Sequence, residues 1–243
     1  MKLEACRDPL HVARACADRL EAVVRARPEA VLVLPAGATP RPLFAELVRR
    51  ARGGLDLRRA HIFQLDELVG LPPQDPRSFH DLLRKELLVP LGHPAARTHL
   101  LDGGAVDPAA EIARHAQELV RHGGADLVIL GLGRNGHVAF NEPGSTLESP
   151  ARLLALDATT VDGLNGTFSP GEVPAHGITL GLREIQASRE VHLLVTGAAK
   201  AEILHAVLAE PPSPRRPASL LLAHAQLIVL ADEAARRRSQ PAR

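Results

Sequence analysis

Short runs of Val, Ile and Leu recur along the chain, separated by longer stretches whose apolar residues fall at helical spacing. Runs that are apolar at consecutive rather than alternate positions belong to strands covered on both faces, as in parallel sheets with crossover helices. Ala30 to Pro35 (AVLVLP) reads as the first strand, after an amphipathic helix carrying Val12, Leu20 and Val23. His61 to Leu65, Asp126 to Gly131, Val191 to Thr196 and Gln226 to Ala231 read as further strands, with helical segments near 41 to 52, 78 to 90, 108 to 122 and 198 to 209. The pattern predicts an α/β fold: a three-layer, doubly wound, mainly parallel sheet. In such sheets ligands bind outside the carboxyl ends of the strands, so the loops leaving those ends are where chemistry is sought.

Composition narrows the partner. The 243 residues are 45% hydrophobic, enough for a large core in one α/β domain spanning 1–243. A net charge of +1, from 29 basic and 28 acidic residues, gives no reason to expect nucleic acid or an anionic membrane. Basic clusters such as Arg49, Arg50 and Arg52, or Arg236 to Arg238, read as solvated surface. Cys6 and Cys16 form no CxxC pair or larger framework, which fits a reducing compartment. Neither a signal core near the N-terminus nor a run of about 18 apolar residues is found, so a cytoplasmic protein is expected. Trp and Tyr are absent, which argues against a ligand platform built by ring stacking.

Four strand-end loops stand out. Pro35-Ala36-Gly37-Ala38-Thr39-Pro40 leads into a helix, with Thr39 suited to the N-cap and Pro40 to the first helical position, so free amides would meet an anion. Thr196 to Lys200 (TGAAK) makes a second such turn and adds a cation. The stretch from Leu65 to Pro72 (LDELVGLP) places Asp66 and Glu67 side by side; one carboxylate can face the cleft as a general base while the other bonds its own loop. Gly131 to Gly144 (GLGRNGHVAFNEPG) carries His137 and Glu142. The segment from 143 to 174 is long and poorly periodic, a candidate lid.

Gly131, Gly133 and Gly136 spell GxGxxG, with Asp157 about 20 residues on, the spacing of a dinucleotide fingerprint. That reading needs a helix opening at the last glycine, and Pro143 and Gly144 interrupt it. Metal at His137 and Glu142 lacks an HExxH pattern or a Cys cluster, so a metal is not expected there.

Taken together, AGATP (36–40), LDELVGLP (65–72), GLGRNGHVAFNEPG (131–144), GITLGL (177–182) and VTGAAK (195–200) resemble the glucosamine-6-phosphate deaminase family. That family includes galactosamine-6-phosphate deaminases/isomerases and is related to 6-phosphogluconolactonase. The resemblance spans nearly the whole chain in order. It implies the Rossmann-like sheet of that family and conversion of a hexosamine 6-phosphate to a ketose 6-phosphate plus ammonia. It implies that Asp66 moves a proton from C2 to C1, that His137 opens the sugar ring, and that Glu142 tunes it. Asn135 belongs to the same catalytic block. Ala36, Gly37, Ala38, Thr39 and Lys200 would hold the 6-phosphate. No cofactor is required, the partner is a small sugar phosphate, and homo-oligomerisation is left open.

Several residues depart from the family pattern. Asn135 stands where some members carry Asp, which implies a histidine without that charged partner. No Arg or Lys lies between Thr159 and Val173 to reach the phosphate from the lid, which implies either weaker phosphate affinity or Arg41 or Arg134 as a substitute. An allosteric pocket is matched only by Ser145 and Arg152, with Leu154 where a lysine is expected. The lid differences and the GITLGL and LLVTG wording lean toward the galactosamine relatives. The competing readings are a lactonase, which needs no C2 proton transfer, and a sugar-phosphate sensor, for which no DNA-binding extension precedes the first strand.

Overall fold

Four consecutive apolar side chains, Val31 to Leu34, have no polar face to turn to water, and all four are buried. Alternate side chains leave a strand on opposite faces. Val31 and Val33 accordingly pack with Ile112 and Leu119 on one side, while Leu32 and Leu34 pack with Leu20, Leu43 and Leu47 on the other. Burying a side chain of this size contributes about 1.5–3 kcal/mol, so helices on both faces follow from the strand composition.

The computed structural model describes residues 1–169 and 171–237; Pro170 and Arg238, the last of the terminal basic cluster, lie outside them. The first half runs β1 (Lys2–Ala5), α1 (Pro9–Ala26), β2 (Val31–Leu34), α2 (Arg41–Arg52), β3 (His61–Gln64) and β4 (Asp66–Leu68). It continues with α3 (Phe79–Leu83), a π-helical turn (Arg84–Leu88), α4 (Val89–Leu91), β5 (Thr98–His99) and α5 (Pro108–Arg121). The second half runs β6 (Leu127–Gly131), β7 (Arg152–Ala155), α6 (Ala158–Leu164), β8 (His176–Thr179), α7 (Leu182–Gln186) and β9 (Glu190–Val195). A 3-10 turn (Ala198–Lys200) then leads into α8 (Ala201–Ala209), α9 (Pro217–Leu220), β10 (Leu227–Ala231) and α10 (Glu233–Arg236). The two longest helices, α1 and α5, start on side-chain caps: Asp8 accepts from the His11 amide at 2.8 Å and Asp107 from the Ala110 amide at 2.9 Å, each followed by proline. Such a cap contributes about 1 kcal/mol.

The main sheet has seven strands in the order β1-β10-β9-β6-β2-β3-β5, and every pairing is parallel. From β2 the chain winds outward through β3 to β5; it then returns to β6 on the other side of β2 and winds toward β10. The β2–β6 pair (Leu32 with Leu127, Val33 with Val128) is therefore the point where the strand order reverses, and a crevice opens there at the carboxyl ends. The doubly wound, mainly parallel expectation holds.

Three features depart from the strand reading. A second, antiparallel sheet, β4-β8-β7, sits beside the first, and β7 with α6 gives regular structure to much of the 143–174 stretch read as a loop. β1 is an exposed, mixed-polarity edge strand (KLEA) that an apolar-run search passes over. Among the described residues no helix is long and apolar enough to cross a membrane, and both cysteines are buried and free.

Candidate active site

The strand-end loops converge on a cleft of about 220 Å³. Gly37 and Thr39 come from the loop after β2, Asp66 from the start of β4, Arg134 and His137 from the loop after β6, and Lys200 from the turn after β9. Thr159, Thr160, Gly163 and Leu164 of α6 line the remaining side.

Asp66 and Glu67 divide as adjacent strand residues must, on opposite faces. Glu67 is fully buried and accepts from the amides of Leu68 (2.8 Å), Phe79 (3.0 Å) and His80 (2.7 Å) and from Gln64 Nε2 (3.0 Å). Burial pushes its carboxyl up, and the donors oppose that push. It fastens the start of α3 to β4. Asp66 faces the cleft, 6% exposed, and among the described residues no hydrogen bond reaches its carboxylate. Burial, and then the charge of Glu67, push it from the ordinary 3.8 up to about 8. A carboxylate held this way has a strong affinity for a proton, as a base acting on carbon requires.

His137 lies against Gly133, where an added Cβ would come within 2.3 Å of its ring. The second glycine of the GxGxxG spacing thus makes room for an imidazole, not a pyrophosphate. Gly136 holds φ +86°, and Ala139, on the cleft wall, is the single non-glycine residue with positive φ among those described, at +51°. That conformation costs about 1 kcal/mol, and residues so placed cluster at functional sites. His137 Nδ1 stands 3.2 Å from Glu142 Oε2 and 3.0 Å from Thr160 Oγ1. Both can accept an Nδ1 proton, so the neutral ring keeps its lone pair on Nε2.

Asn135 and Glu142 stand behind the histidine and do not line the cleft. Asn135 Oδ1 accepts from the His137 amide at 3.1 Å, while its Nδ2 donates to Glu142 Oε2 at 2.9 Å and to Asp157 Oδ1 at 3.2 Å. Burial pushes the Glu142 carboxyl up, but the hydrogen bond and charge of His137, with bonds from Thr160 and Asn135, outweigh it and hold the group below its usual range. The implied histidine without a charged partner is thereby corrected. Glu142 supplies the carboxylate, and Asn135 joins the two. Asp157, considered above only as a nucleotide-binding acid, caps α6 by accepting from the Thr159 amide at 2.8 Å.

The first loop is corrected too. Pro40, not Thr39, is the N-cap of α2, and Pro42 lies in the first turn; Pro40 already has helical angles, which frees Thr39 to face the cleft. Ala36 and Gly37 line the cleft, whereas Ala38 is exposed and does not. Gly37 takes φ +104°. Across from it, burial and then the charge of Arg134 push the Lys200 ammonium down. Among the described residues no ion pair neutralises either cation. Arg41 is paired with Glu86 at 3.0 Å and lies off the cleft, whereas Arg134 lines it. Two unpaired cations beside a helix N-terminus suit a dianion.

The family model of glucosamine-6-phosphate isomerases/6-phosphogluconolactonase matches residues 9–229. The chain belongs to this family. It is 39% identical over 225 residues to the glucosamine-6-phosphate deaminase of Pseudarthrobacter chlorophenolicus, covering 92% of this chain and 87% of that one. To the glucosamine-6-phosphate deaminase of Hahella chejuensis it is 37% identical over 234 residues, covering 96% and 89%. Among solved structures, a monomeric glucosamine-6-phosphate deaminase superposes with a TM-score of 0.94 at 31% identity, covering 97% of this chain and 98% of that one. The 6-phosphogluconolactonase of Trypanosoma cruzi, at 19% identity and a TM-score of 0.79 over 96% and 95% of the two chains, shares the fold. These deaminase relatives are named for glucosamine, so the galactosamine leaning of the GITLGL and LLVTG wording finds no support among them.

Sequence reasoning missed Thr160 and Asp157 because they lie in the aperiodic 143–174 stretch. The Asp-Ala-Thr-Thr cap of α6 was the available signal.

Proposed function

We propose that the chain converts glucosamine 6-phosphate and water to fructose 6-phosphate and ammonia, as an aldose–ketose isomerase/deaminase formed by 1–243 with 143–174 covering the cleft. The observation that carries this reading is Asp66: a buried carboxyl with proton affinity raised to about 8, in the same cleft as a carboxylate-backed histidine and two unpaired cations. A lactonase moves no proton at C2 and has no use for it.

Lys200, Arg134 and the backbone amides of 37–39 hold the phosphate and set the sugar's position. His137 Nε2 takes the proton of the anomeric hydroxyl and delivers it to the ring oxygen, which opens the ring; Glu142 favours the imidazolium that exists in between. Ionised Asp66 removes the C2 proton from the open aldehyde while the 2-ammonium passes a proton to O1, giving a neutral enolamine, and the Asp66 carboxyl returns its proton to C1, which leaves C2 as an iminium. The C2 iminium then adds water, the C2–N bond breaks, and ammonia leaves a ketone. The substrate's cationic 2-amino group favours the ionised form of a neighbouring carboxylate, so substrate itself arms a base that is largely protonated in the free enzyme at pH 7. Activity by this route survives treatment with chelator.

The test is ammonia release from glucosamine 6-phosphate by the purified protein, run beside hydrolysis of 6-phosphogluconolactone. The reading requires the first. Lactone hydrolysis without ammonia release would replace it.

A further inference from the structure

Toward the end of β3 that points away from the cleft, three imidazoles from distant parts of the sequence meet. His61 opens β3, His99 ends β5, and His122 is the C-cap of α5. Their ring nitrogens all lie within 4.8 Å of one another, and all three side chains are half-buried. Among the described residues this is the sole cluster of metal-ligating side chains, and it is not the His137–Glu142 pair weighed from the sequence. The cleft lies beyond the other end of the strand, since His61 to Leu65 spans about 13 Å at 3.3 Å per residue.

We propose that His61, His99 and His122 form a site for a divalent d-block cation of the zinc class, separate from the catalytic cleft.

The geometry is close to that of a bound ion. Zinc holds imidazole nitrogens at about 2.0–2.1 Å, which places two nitrogens about 3.3 Å apart at a tetrahedral angle. His61 Nδ1 and His99 Nε2 are 3.1 Å apart. The His122 ring centroid lies 4.1 Å from that of His61 and 5.1 Å from that of His99. Phe63 stacks on His99 at 4.0 Å and 11°, holding the ring in place. Glu118 Oε1 stands 3.3 Å from His122 Nε2, so a ring that donates there keeps Nδ1 as its ligating atom. A carboxylate behind a ligating histidine is the usual outer support of such sites. Three nitrogen ligands with a position left for water suit zinc, nickel or copper better than calcium or magnesium.

One group opposes the ion. Arg97 Nη1 lies 2.9 Å from His61 Nε2 and donates to it, so His61 presently directs its Nδ1 proton at His99. Ligation through Nδ1 moves that proton to Nε2 of the same ring, and Arg97 must release it. Arg97 retains the Arg59 carbonyl at 2.8 Å and Glu29 at 3.5 Å. The ion would then clasp β3, β5 and the end of α5 together.

The test uses the full chain, stripped with chelator and freed of it, titrated calorimetrically with zinc sulfate and followed in parallel by the visible absorption of cobalt(II). The expected result is one ion per chain, with affinity lowered at least tenfold in His122→Ala and in His61→Ala, unchanged in His137→Gln, and raised in Arg97→Gln. His122→Ala removes a half-buried helix cap and serves if His61→Ala fails to fold. Absence of binding to the wild type, equal binding by His122→Ala, or loss of the ion in His137→Gln would each overturn the proposal.

Discussion

Asp66→Asn leaves the shape of the cleft floor intact and removes its titration, which gives a stability signature separate from catalysis. In the folded chain Asp66 keeps its proton up to about pH 8, pushed there by burial and the Glu67 charge, whereas an ordinary aspartate loses it near 3.8. Between those values the folded state binds the extra proton, so stability falls as pH rises, by about 1.4 kcal/mol per pH unit, and levels off above 8. Asparagine ionises in neither state. The stability of Asp66→Asn relative to wild type should therefore grow with pH, from about 1 kcal/mol at pH 5 to at most about 5 kcal/mol at pH 8. Urea unfolding of the two proteins at pH 5, 6, 7 and 8 measures this, and titrating groups that do not touch Asp66 cancel in the difference. A difference that stays flat across the series would mean that Asp66 is ionised in the free fold at neutral pH, and the reasoning about its burial would fail. A gain in stability with loss of activity is the expected trade where a site is built to be reactive.

Further outcomes follow from the other groups. Lys200→Ala and Arg134→Ala should each raise KM for glucosamine 6-phosphate by about 10- to 100-fold, the worth of one charge-assisted bond, with kcat nearly unchanged; steady-state kinetics decides, and an unchanged KM would remove the residue from the phosphate site. Gly133→Ala places a methyl group within 2.3 Å of the His137 ring, so turnover should drop as in His137→Gln while circular dichroism stays native. His137→Gln should be impaired with the cyclic substrate and recover in the reverse reaction with the open keto form of fructose 6-phosphate, measured by ammonia consumption. The acid limb of kcat/KM should lie near pH 8, where free Asp66 ionises, and that of kcat at lower pH, where the substrate ammonium faces it; coincident limbs would contradict arming by substrate.

Much of the fold was legible because the parallel strands are buried on both faces. AVLVLP, DLVILG and QLIVLA cannot be read as amphipathic surface, and the loops at the carboxyl ends of the first two line the cleft. Strand geometry also implied that one of Asp66 and Glu67 faces the cleft while the other bonds its own loop; the choice of Asp66 came from the resemblance. The small antiparallel sheet did not, since β4, β7 and β8 have three or four residues each and are defined by pairing across the 143–174 region. The contacts that tie Asn135, Asp157 and Thr160 to His137 and Glu142 are tertiary, and no local pattern announces them. The His61, His99 and His122 cluster is of the same kind, with partners 38 and 61 residues from His61 brought together by sheet order rather than by spacing.

The central claim is that Asp66 carries the C2 proton, and the most direct measurement is solvent exchange at that carbon. Wild type and Asp66→Asn are incubated with glucosamine 6-phosphate in deuterium oxide, with ammonia assayed and deuterium at C2 of recovered substrate and C1 of product read by NMR. Wild type should release ammonia and place solvent deuterium at C1 of fructose 6-phosphate. Asp66→Asn should bind substrate with KM or Kd near normal yet show neither exchange nor ammonia, a loss of about 10² to 10⁴ or more in kcat. Near-normal turnover or exchange in Asp66→Asn would contradict the account.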